Sequence, residues 1–184
     1  MSRTGVFLDR DDTIIKDKNY LSDPEEIEIL PGVPRALRML NDRGIPVIIV
    51  TNQSGIARGL LNEKILEDIH TRLFELLSHQ GACIDALYYC PHHIEGSVEK
   101  FAIPCTCRKP ESGMLLKAAR DFCLDLPSCY MIGDKPEDIE TIHRVGGKGI
   151  LLKTTRENAH EHCAEFTARD LPEAVRWILE DMTS

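Results

Sequence analysis

The chain has 184 residues, of which 42% are hydrophobic and 28% charged, as in an ordinary globular domain. This length and composition exclude a disordered chain, a fibrous repeat and a two-domain enzyme with a large lid, so we expect one domain over residues 1–184. The formal net charge of -8 repels polyanions, so nucleic acid is not an expected partner, and an anionic substrate needs a local basic pocket.

Apolar runs alternate with segments of helical period, which is typical of βαβ units around a parallel sheet. Strands are predicted, in chain order, at Val6–Leu8, Val47–Val50, Ala86–Tyr89, Tyr130–Ile132 and Gly149–Leu152. Three helices are predicted from their apolar faces. The first has Val33, Ala36, Leu37 and Leu40 and ends before Gly44, and the second has Ile65, Ile69, Leu73 and Leu76 and ends before Gly81. The third has Leu171, Ala174, Val175 and Ile178 and begins at a cap, Asp170. The pattern predicts a Rossmann-like α/β fold, a parallel sheet with helices on both faces.

The longest strictly aliphatic run, Val47 to Val50, is far shorter than the roughly 20 residues that span a bilayer. We therefore expect a cytoplasmic protein that binds no membrane. We also expect a monomer. Seven cysteines, an odd number, indicate thiols or metal ligands rather than disulfides. Four of them lie in apolar patterns and are predicted to be buried: Cys83, Cys123, Cys129 and Cys163.

The segment 91–112 is a long loop without hydrophobic period, so its order needs an explanation. Cys90 and His92 stand at its start, and Cys105 and Cys107 follow after twelve intervening residues. Three thiolates and an imidazole complete a tetrahedral Zn²⁺ site with no position for water, so we predict a structural zinc loop at about 90–112. Free thiols are the alternative, and His93 competes with His92 as a ligand.

Polar side chains follow three of the predicted strands, at the edge where open α/β sheets bind ligands. They are Asp9-Arg10-Asp11 after the first strand, Thr51-Asn52-Gln53-Ser54-Gly55 after the second, and Gly133-Asp134-Lys135 after the fourth. Asp9 and Asp11 need a cation or a shared proton, and with Asp134 they suit Mg²⁺. A solvated acidic loop is the alternative. Asp138, one helical turn after Asp134, either supports this site or is an ordinary helix N-terminal acid.

A magnesium ion held by carboxylates indicates a phosphate ligand, which needs hydrogen-bond donors. Thr51 and Asn52 offer a hydroxyl, an amide and backbone N–H groups, and Lys109 offers a compact positive charge. Arg108 can bind a second anionic or hydroxylated part of the ligand. The alternative is that Arg108 and Lys109 are a surface pair before a helix.

These motifs resemble, in order, those of the haloacid dehalogenase superfamily of phosphatases. The matching residues are Asp9-Arg10-Asp11-x-Thr13, Thr51-Asn52, Lys109 and Gly133-Asp134-x-x-x-Asp138. Four strings resemble its capless sugar bisphosphate phosphatases, which have a zinc loop in place of a lid: VTNQSGIARG (50–59), YYCPHHIEGSVEKF (88–101), CTCRKPESGM (105–114) and YMIGDKPEDI (130–139).

The resemblance implies a Mg²⁺-dependent phosphoric monoester hydrolase that acts on a phosphorylated sugar in the synthesis of lipopolysaccharide heptose. The alternatives are a histidinol-phosphate phosphatase, a nucleic-acid 3′-phosphatase, which the charge opposes, and a non-catalytic zinc-stabilised binding module.

The resemblance also implies roles for individual residues. Asp9 would form an aspartyl-phosphate, and Asp11 would protonate the leaving oxygen and then take a proton from water. Magnesium would be bound by Asp9, the Asp11 main-chain carbonyl and Asp134, while Thr51 and Lys109 would hold phosphoryl oxygens. The substrate-binding residues would be Arg10, Asp17, Lys18, Asn19, Tyr20, Asn52, Gln53, Ser54, Arg108 and Lys135, with Lys135 also ordering the nucleophile.

Asp12 departs from the superfamily pattern, which usually has glycine at this position. Both residues accept a positive φ, so the local turn should tolerate either. We expect Asp12→Gly to keep or raise activity.

Overall fold

The structure is a computed structural model that describes residues 3–153 and 164–183. One sheet contains six parallel strands in the order β3-β2-β1-β4-β5-β6. They are β1 (Val6–Leu8), β2 (Val47–Asn52), β3 (Ala86–Cys90), β4 (Tyr130–Gly133), β5 (Lys148–Leu152) and β6 (Phe166–Ala168). The five predicted strands and the predicted fold class are confirmed.

Helices cover both faces of the sheet. They are α1 (Val33–Asn41), α2 (Glu63–Ser78), α3 (Gly113–Phe122), α4 (Pro136–His143) and α5 (Leu171–Asp181). Val6 and Leu8 pack with α1, α2 and α5, whereas Phe7 packs with α3 and α4 on the other face. Because both faces are covered, β1 is an uninterrupted apolar run rather than an alternating one.

The predicted helix ends are confirmed by backbone geometry. Gly44 and Gly81, just beyond α1 and α2, have φ of 65° and 70°, in the left-handed region that favours glycine. At the start of α5, the Asp170 carboxylate accepts a hydrogen bond from the Glu173 amide at 2.8 Å. None of the helices in the described ranges is both long and apolar enough to cross a membrane.

Two elements were not predicted. β6 has three residues and pairs only with β5, at the edge of the sheet, so it carries too short a pattern to detect. α3 begins directly after the long loop and buries only Met114, Leu115 and Ala118.

The prediction that four cysteines are buried is wrong for two of them. Cys129 is buried, but Cys83 and Cys123 are exposed. Cys83 follows α2 in a connection, where its backbone pairs with the Asn41 amide, and Cys123 caps α3 with φ of 54°. Both lie past a helix end rather than on its apolar face. Cys163 lies outside the described residues.

The strand register determines which loops meet at the carboxyl edge. Leu8 pairs with Ile49 on β2 and with Ile132 on β4. The next residue, Asp9, therefore leaves the sheet between the ends of these two strands, beside Thr51 and Asp134. The predicted convergence of the three polar loops is confirmed.

Candidate active site

Asp9, Lys109 and Asp138 form a buried ionic cluster at the end of β1. Nζ of Lys109 lies 2.8 Å from Asp9 Oδ1 and 2.6 Å from Asp138 Oδ1, and it donates to the Val50 carbonyl at 3.0 Å. Burial lowers the pKa of Lys109, but the Asp138 and Asp9 carboxylates raise it by more, so the ammonium stays charged. Burial likewise raises the pKa of Asp9, and Lys109 lowers it by more. The net pKa of Asp9 is below its ordinary value, which keeps this carboxylate ionised, as a nucleophile requires.

Asp138 supports the cluster from the start of α4. Its Oδ2 accepts a hydrogen bond from the Lys135 amide at 3.1 Å, while Oδ1 faces Lys109. The carboxylate lies directly against the Gly133 backbone, where an added Cβ would collide with it. Of the two sequence-based alternatives, the supporting position agrees with these contacts.

Asp134 contributes a third carboxylate beside Asp9 and Asp138. Within the described residues, its buried Oδ1 has no hydrogen bond. Burial raises the pKa of Asp134 to about 7, with Lys135 opposing and Asp9 and Asp138 adding to the rise. Carboxylate oxygens of Asp9, Asp134 and Asp138 lie within 4.8 Å of one another. A buried, unpaired oxygen beside like charges fits a site completed by a hard cation such as Mg²⁺.

Asp11 is held by two side chains, Arg10 and Gln53. Nη2 of Arg10 donates to both Asp11 oxygens at 3.0 Å, and Gln53 Nε2 donates to Oδ2 at 3.0 Å. Burial raises the pKa of Asp11 and Arg10 lowers it, with a net rise. The carboxyl can therefore hold a proton at higher pH than an exposed aspartate, as a general acid and base must. Its side chain is not part of the metal cluster, so only its main-chain carbonyl remains as the predicted ligand.

Thr51 and Asn52 end β2 beside Lys109. The Thr51 hydroxyl accepts a hydrogen bond from Gln53 Nε2 at 2.9 Å, which leaves its own proton free to donate to a phosphoryl oxygen. Both ends of the Asn52 amide bind the Lys109 backbone, at 3.0 and 3.1 Å. Asn52 therefore ties the lysine loop to the sheet as well as lining the cleft.

A cleft of about 220 Å³ opens beside these groups, and its lining does not include the buried residues Asp9, Thr51, Lys109 and Asp134. Its lining includes Arg10, Asp11, Asp17, Asn19, Tyr20, Asn52, Gln53, Ser54, Arg108 and Lys135, all of which were predicted site residues. The structure does not bring Lys18 into this lining, because its ammonium pairs with Glu28 at 3.2 Å. Leu21 and Glu137 also line the cleft, and neither was among the predicted site residues.

Asp12 has a structural partner that the sequence did not indicate. It adopts φ of 53°, and its Oδ1 accepts a hydrogen bond from the Asp17 amide at 2.9 Å. The Asp17 carboxylate in turn accepts the Asn19 amide at 2.9 Å, and Asn19 and Tyr20 also have positive φ. The Asp12 carboxylate therefore anchors the strained segment that forms one wall of the cleft.

The four predicted zinc ligands lie together. The Cys107 sulfur is 3.1 Å from that of Cys90 and 3.4 Å from that of Cys105, and His92 Nδ1 is 3.4 Å from Cys107. Thiolates around a zinc ion, at about 2.3 Å each, stand about 3.8 Å apart, close to this spacing. Burial raises the pKa of the Cys90 thiol, so a thiolate there needs a cation. His93 lies outside the cluster, bound to Arg58 and the Glu95 amide.

The cysteine loop is joined to the cleft by Arg108. Arg108 follows Cys107 directly, lines the cleft, and donates to the His92 carbonyl at 3.3 Å. Gly113, at the start of α3, packs against the Thr106 carbonyl so closely that a Cβ would not fit. The position of Arg108 therefore depends on the order of the Cys/His cluster.

Family profiles match both halves of the chain. The haloacid dehalogenase-like hydrolase family matches residues 6–75, and a second, HAD-hydrolase-like family matches residues 106–178.

Whole-length relatives are similar over nearly the entire chain. The D-glycero-beta-D-manno-heptose-1,7-bisphosphate 7-phosphatase of Escherichia coli K12 is 39% identical over 179 residues, covering 94% of this chain and 93% of that protein. The protein of the same name from Photorhabdus laumondii is 37% identical over 181 residues, covering 95% and 96%.

Two solved structures are also similar to this chain over nearly its full length. A D,D-heptose 1,7-bisphosphate phosphatase from B. bronchiseptica, complexed with magnesium and phosphate, is 29% identical with a TM-score of 0.82, covering 97% of this chain and 99% of that one. A HAD-like phosphatase from Mesorhizobium loti, described as putative, is 37% identical with a TM-score of 0.87, covering 97% and 85%. The chain therefore belongs to the haloacid dehalogenase-like hydrolase family that includes these heptose bisphosphate phosphatases.

Proposed function

We propose that this protein hydrolyses the 7-phosphate of D-glycero-beta-D-manno-heptose 1,7-bisphosphate, in the synthesis of the heptose of lipopolysaccharide. The observation that carries the proposal is the buried Asp9 carboxylate, which Lys109 keeps ionised and which is followed in the chain by Arg10 and Asp11, two residues that line a polar cleft. Curated relatives that share about two fifths of the sequence bear the name of this activity. The resemblance to histidinol-phosphate phosphatases has no such support among these relatives.

In the first half of the reaction, Asp9 attacks phosphorus in line. The bond from phosphorus to the sugar oxygen breaks, and Asp11 gives its proton to that oxygen. The Thr51 hydroxyl and the Lys109 ammonium stabilise charge on the phosphoryl oxygens.

In the second half, the aspartyl-phosphate on Asp9 is hydrolysed. Asp11, now ionised and held by Arg10 and Gln53, accepts a proton from the attacking water. Water cleaves the acyl phosphate, inorganic phosphate leaves, and the Asp9 carboxylate is restored. The net rise in the pKa of Asp11 favours both of its roles.

Two metals complete the proposal. Asp9, Asp134 and the Asp11 main-chain carbonyl would hold Mg²⁺, which supplies positive charge between the nucleophile and the phosphate when bound. Cys90, His92, Cys105 and Cys107 would hold a structural Zn²⁺ that fixes the loop carrying Arg108 and Lys109. A monomeric state, a cytoplasmic location and an extent of one domain remain predictions.

The test is a side-by-side measurement of kcat/KM for heptose 1,7-bisphosphate and histidinol phosphate with magnesium. We expect a clear preference for the heptose, and phosphorus NMR should show that the 1-phosphate remains on the product. A preference for histidinol phosphate, or loss of the 1-phosphate first, contradicts the proposed substrate. Asp9→Asn is the matched inactive control, since its carboxamide fills the same space without a nucleophilic oxygen.

A further inference from the structure

His70 is a buried histidine that α2 presents to the underside of the cleft. It is 8% exposed, and its Nε2 lies 3.2 Å from Nη1 of Arg10. A guanidinium has donors only, so Nε2 must accept this hydrogen bond and the ring proton lies on Nδ1. Burial, and then the charge of Arg10, lower the pKa of His70 to about 3, which is consistent with a neutral ring.

Arg10 links His70 to Asp11. Its side chain is 2% exposed, so its orientation is determined by the protein and not by water. Nε and Nη2 donate to Asp11 at 3.2 and 3.0 Å, and Nη2 also donates to Gln53 Oε1 at 3.0 Å. Nη1 faces His70 on the opposite side.

The three polar groups on the cleft side are held from outside at two points. Asp11, Gln53 and Arg10 bond to one another, Gln53 also donates to the Thr51 hydroxyl at 2.9 Å, and Arg10 bonds to His70. His70 connects these groups to a sixteen-residue helix whose apolar face is packed in the core. A site is held more firmly by a rigid helix than by loop residues alone.

We infer that His70 is a positioning residue for Asp11, acting through Arg10. The inference rests on the proposed function, because it takes Asp11 as the group that protonates the leaving oxygen. Without an acceptor at position 70, a buried donor of Arg10 loses its partner, and the guanidinium is then held only by the Asp11 and Gln53 side chains that it positions. A displacement of about 1 Å can cost about 100-fold in rate, so we expect a loss of about 10-fold to 100-fold.

Two substitutions at this position separate the hydrogen bond from the packing. His70→Leu removes the acceptor and keeps most of the volume, whereas His70→Gln places an amide oxygen near the position of Nε2. Leu77→Ala is the matched control, since Leu77 is fully buried two turns further along the same helix. Thermal unfolding midpoints of all three variants show how much each one destabilises the fold.

The readout is kcat/KM for two substrates with different leaving groups. This parameter covers the steps up to phosphorylation of Asp9, and the sugar alkoxide must be protonated in that step. p-Nitrophenolate leaves without a proton, so hydrolysis of p-nitrophenyl phosphate does not depend on a positioned acid.

We expect His70→Leu to lose at least about tenfold on the sugar phosphate and less than about threefold on the aryl phosphate. His70→Gln should recover to within about threefold of the wild type, and Leu77→Ala should not distinguish the two substrates. Equal losses on both substrates, or equal activity of the leucine and glutamine variants, would overturn the inference.

Failure of the proposed function would give a different result from failure of the inference about His70. A wild-type enzyme that acts on another alkyl phosphate contradicts the substrate but still tests His70, because any alkoxide needs a proton. A wild-type protein that hydrolyses neither an alkyl nor an aryl phosphate contradicts both proposals.

Discussion

Removal of magnesium should make the folded protein less stable as the pH rises from about 4 to about 7. The cause is Asp134, whose pKa is raised by burial from the ordinary 3.8 to about 7. In this window the unfolded chain releases a proton that the folded protein keeps. The stabilisation is therefore complete below about pH 4 and is lost as the pH rises through the folded pKa.

The size of the stability loss follows from the pKa shift of Asp134. About three pKa units at about 1.4 kcal/mol each correspond to a loss of about 4 kcal/mol in the free energy of unfolding. Asp138, whose pKa burial raises to about 6, acts in the same direction. Asp9 does not oppose them here, because its lowered pKa places its contribution below pH 4. Bound Mg²⁺ should remove most of the loss, since it favours the ionised carboxylates.

The assay is urea unfolding at pH 4.5 and 7.5, with and without millimolar Mg²⁺. Magnesium should be removed by dialysis, because a chelator would also extract zinc from the cysteine loop. Asp134→Asn is the control, and it should lose most of the pH dependence and of the response to Mg²⁺. The reasoning is refuted if the metal-free wild type is equally stable at both pH values, or if Asp134→Asn keeps the wild-type slope.

Three further predictions concern Asp9, Cys107 and Asp12. Asp9→Asn should abolish turnover because an amide cannot attack phosphorus, and phosphate release measures this; near-normal kcat would contradict the mechanism. Purified protein should contain about one zinc per chain by elemental analysis. Cys107→Ser should lose the zinc, and it should also lose most of the activity because Arg108 is then no longer held in position. Active protein without zinc would refute the site. The expectation from the sequence that Asp12→Gly keeps or raises activity is replaced: this variant should raise KM severalfold with a smaller change in kcat, because the Asp17 amide loses its acceptor. Asp12→Asn, which keeps an acceptor and tolerates positive φ, should stay close to wild type, and equal KM values for the two variants would show that the anchor is unimportant.

The sheet was predictable because its central strands are buried on both faces. Val6–Leu8 and Val47–Val50 are continuous apolar runs for that reason, and the polar residues that follow them mark the carboxyl edge. Gly44 and Gly81 marked helix ends because each requires a positive φ. β6 was not predicted because a three-residue edge strand has no periodicity to detect.

The site residues were predictable as a set, but their pairings were not. The resemblance implies that Asp9 and Lys109 act at one site, and the sequence left the place of Asp138 open. Only the packing shows Lys109 bridging the two carboxylates. The contact between Arg10 and His70 joins residues sixty positions apart, and His70 reads in sequence as one more polar position on α2. The prediction for Asp12 considered only its backbone conformation, so it missed the hydrogen bond that the Asp12 carboxylate accepts from the Asp17 amide. Such pairings depend on rotamers and on long-range packing that no local pattern encodes.

The charge balance of the site bears on how an acidic protein would bind the doubly phosphorylated sugar that we propose as its substrate. Three buried carboxylates, Asp9, Asp134 and Asp138, face two ammonium groups, those of Lys109 and Lys135. The Asp11 carboxylate is neutralised by Arg10, so when all three buried carboxylates are ionised one negative charge is left over at the point where a phosphate must approach. A divalent cation reverses that sign and gives the cluster a net positive charge. The local basic pocket that the net charge of -8 demands is therefore not complete in the polypeptide alone, and the unpaired Asp134 oxygen is where the missing charge belongs.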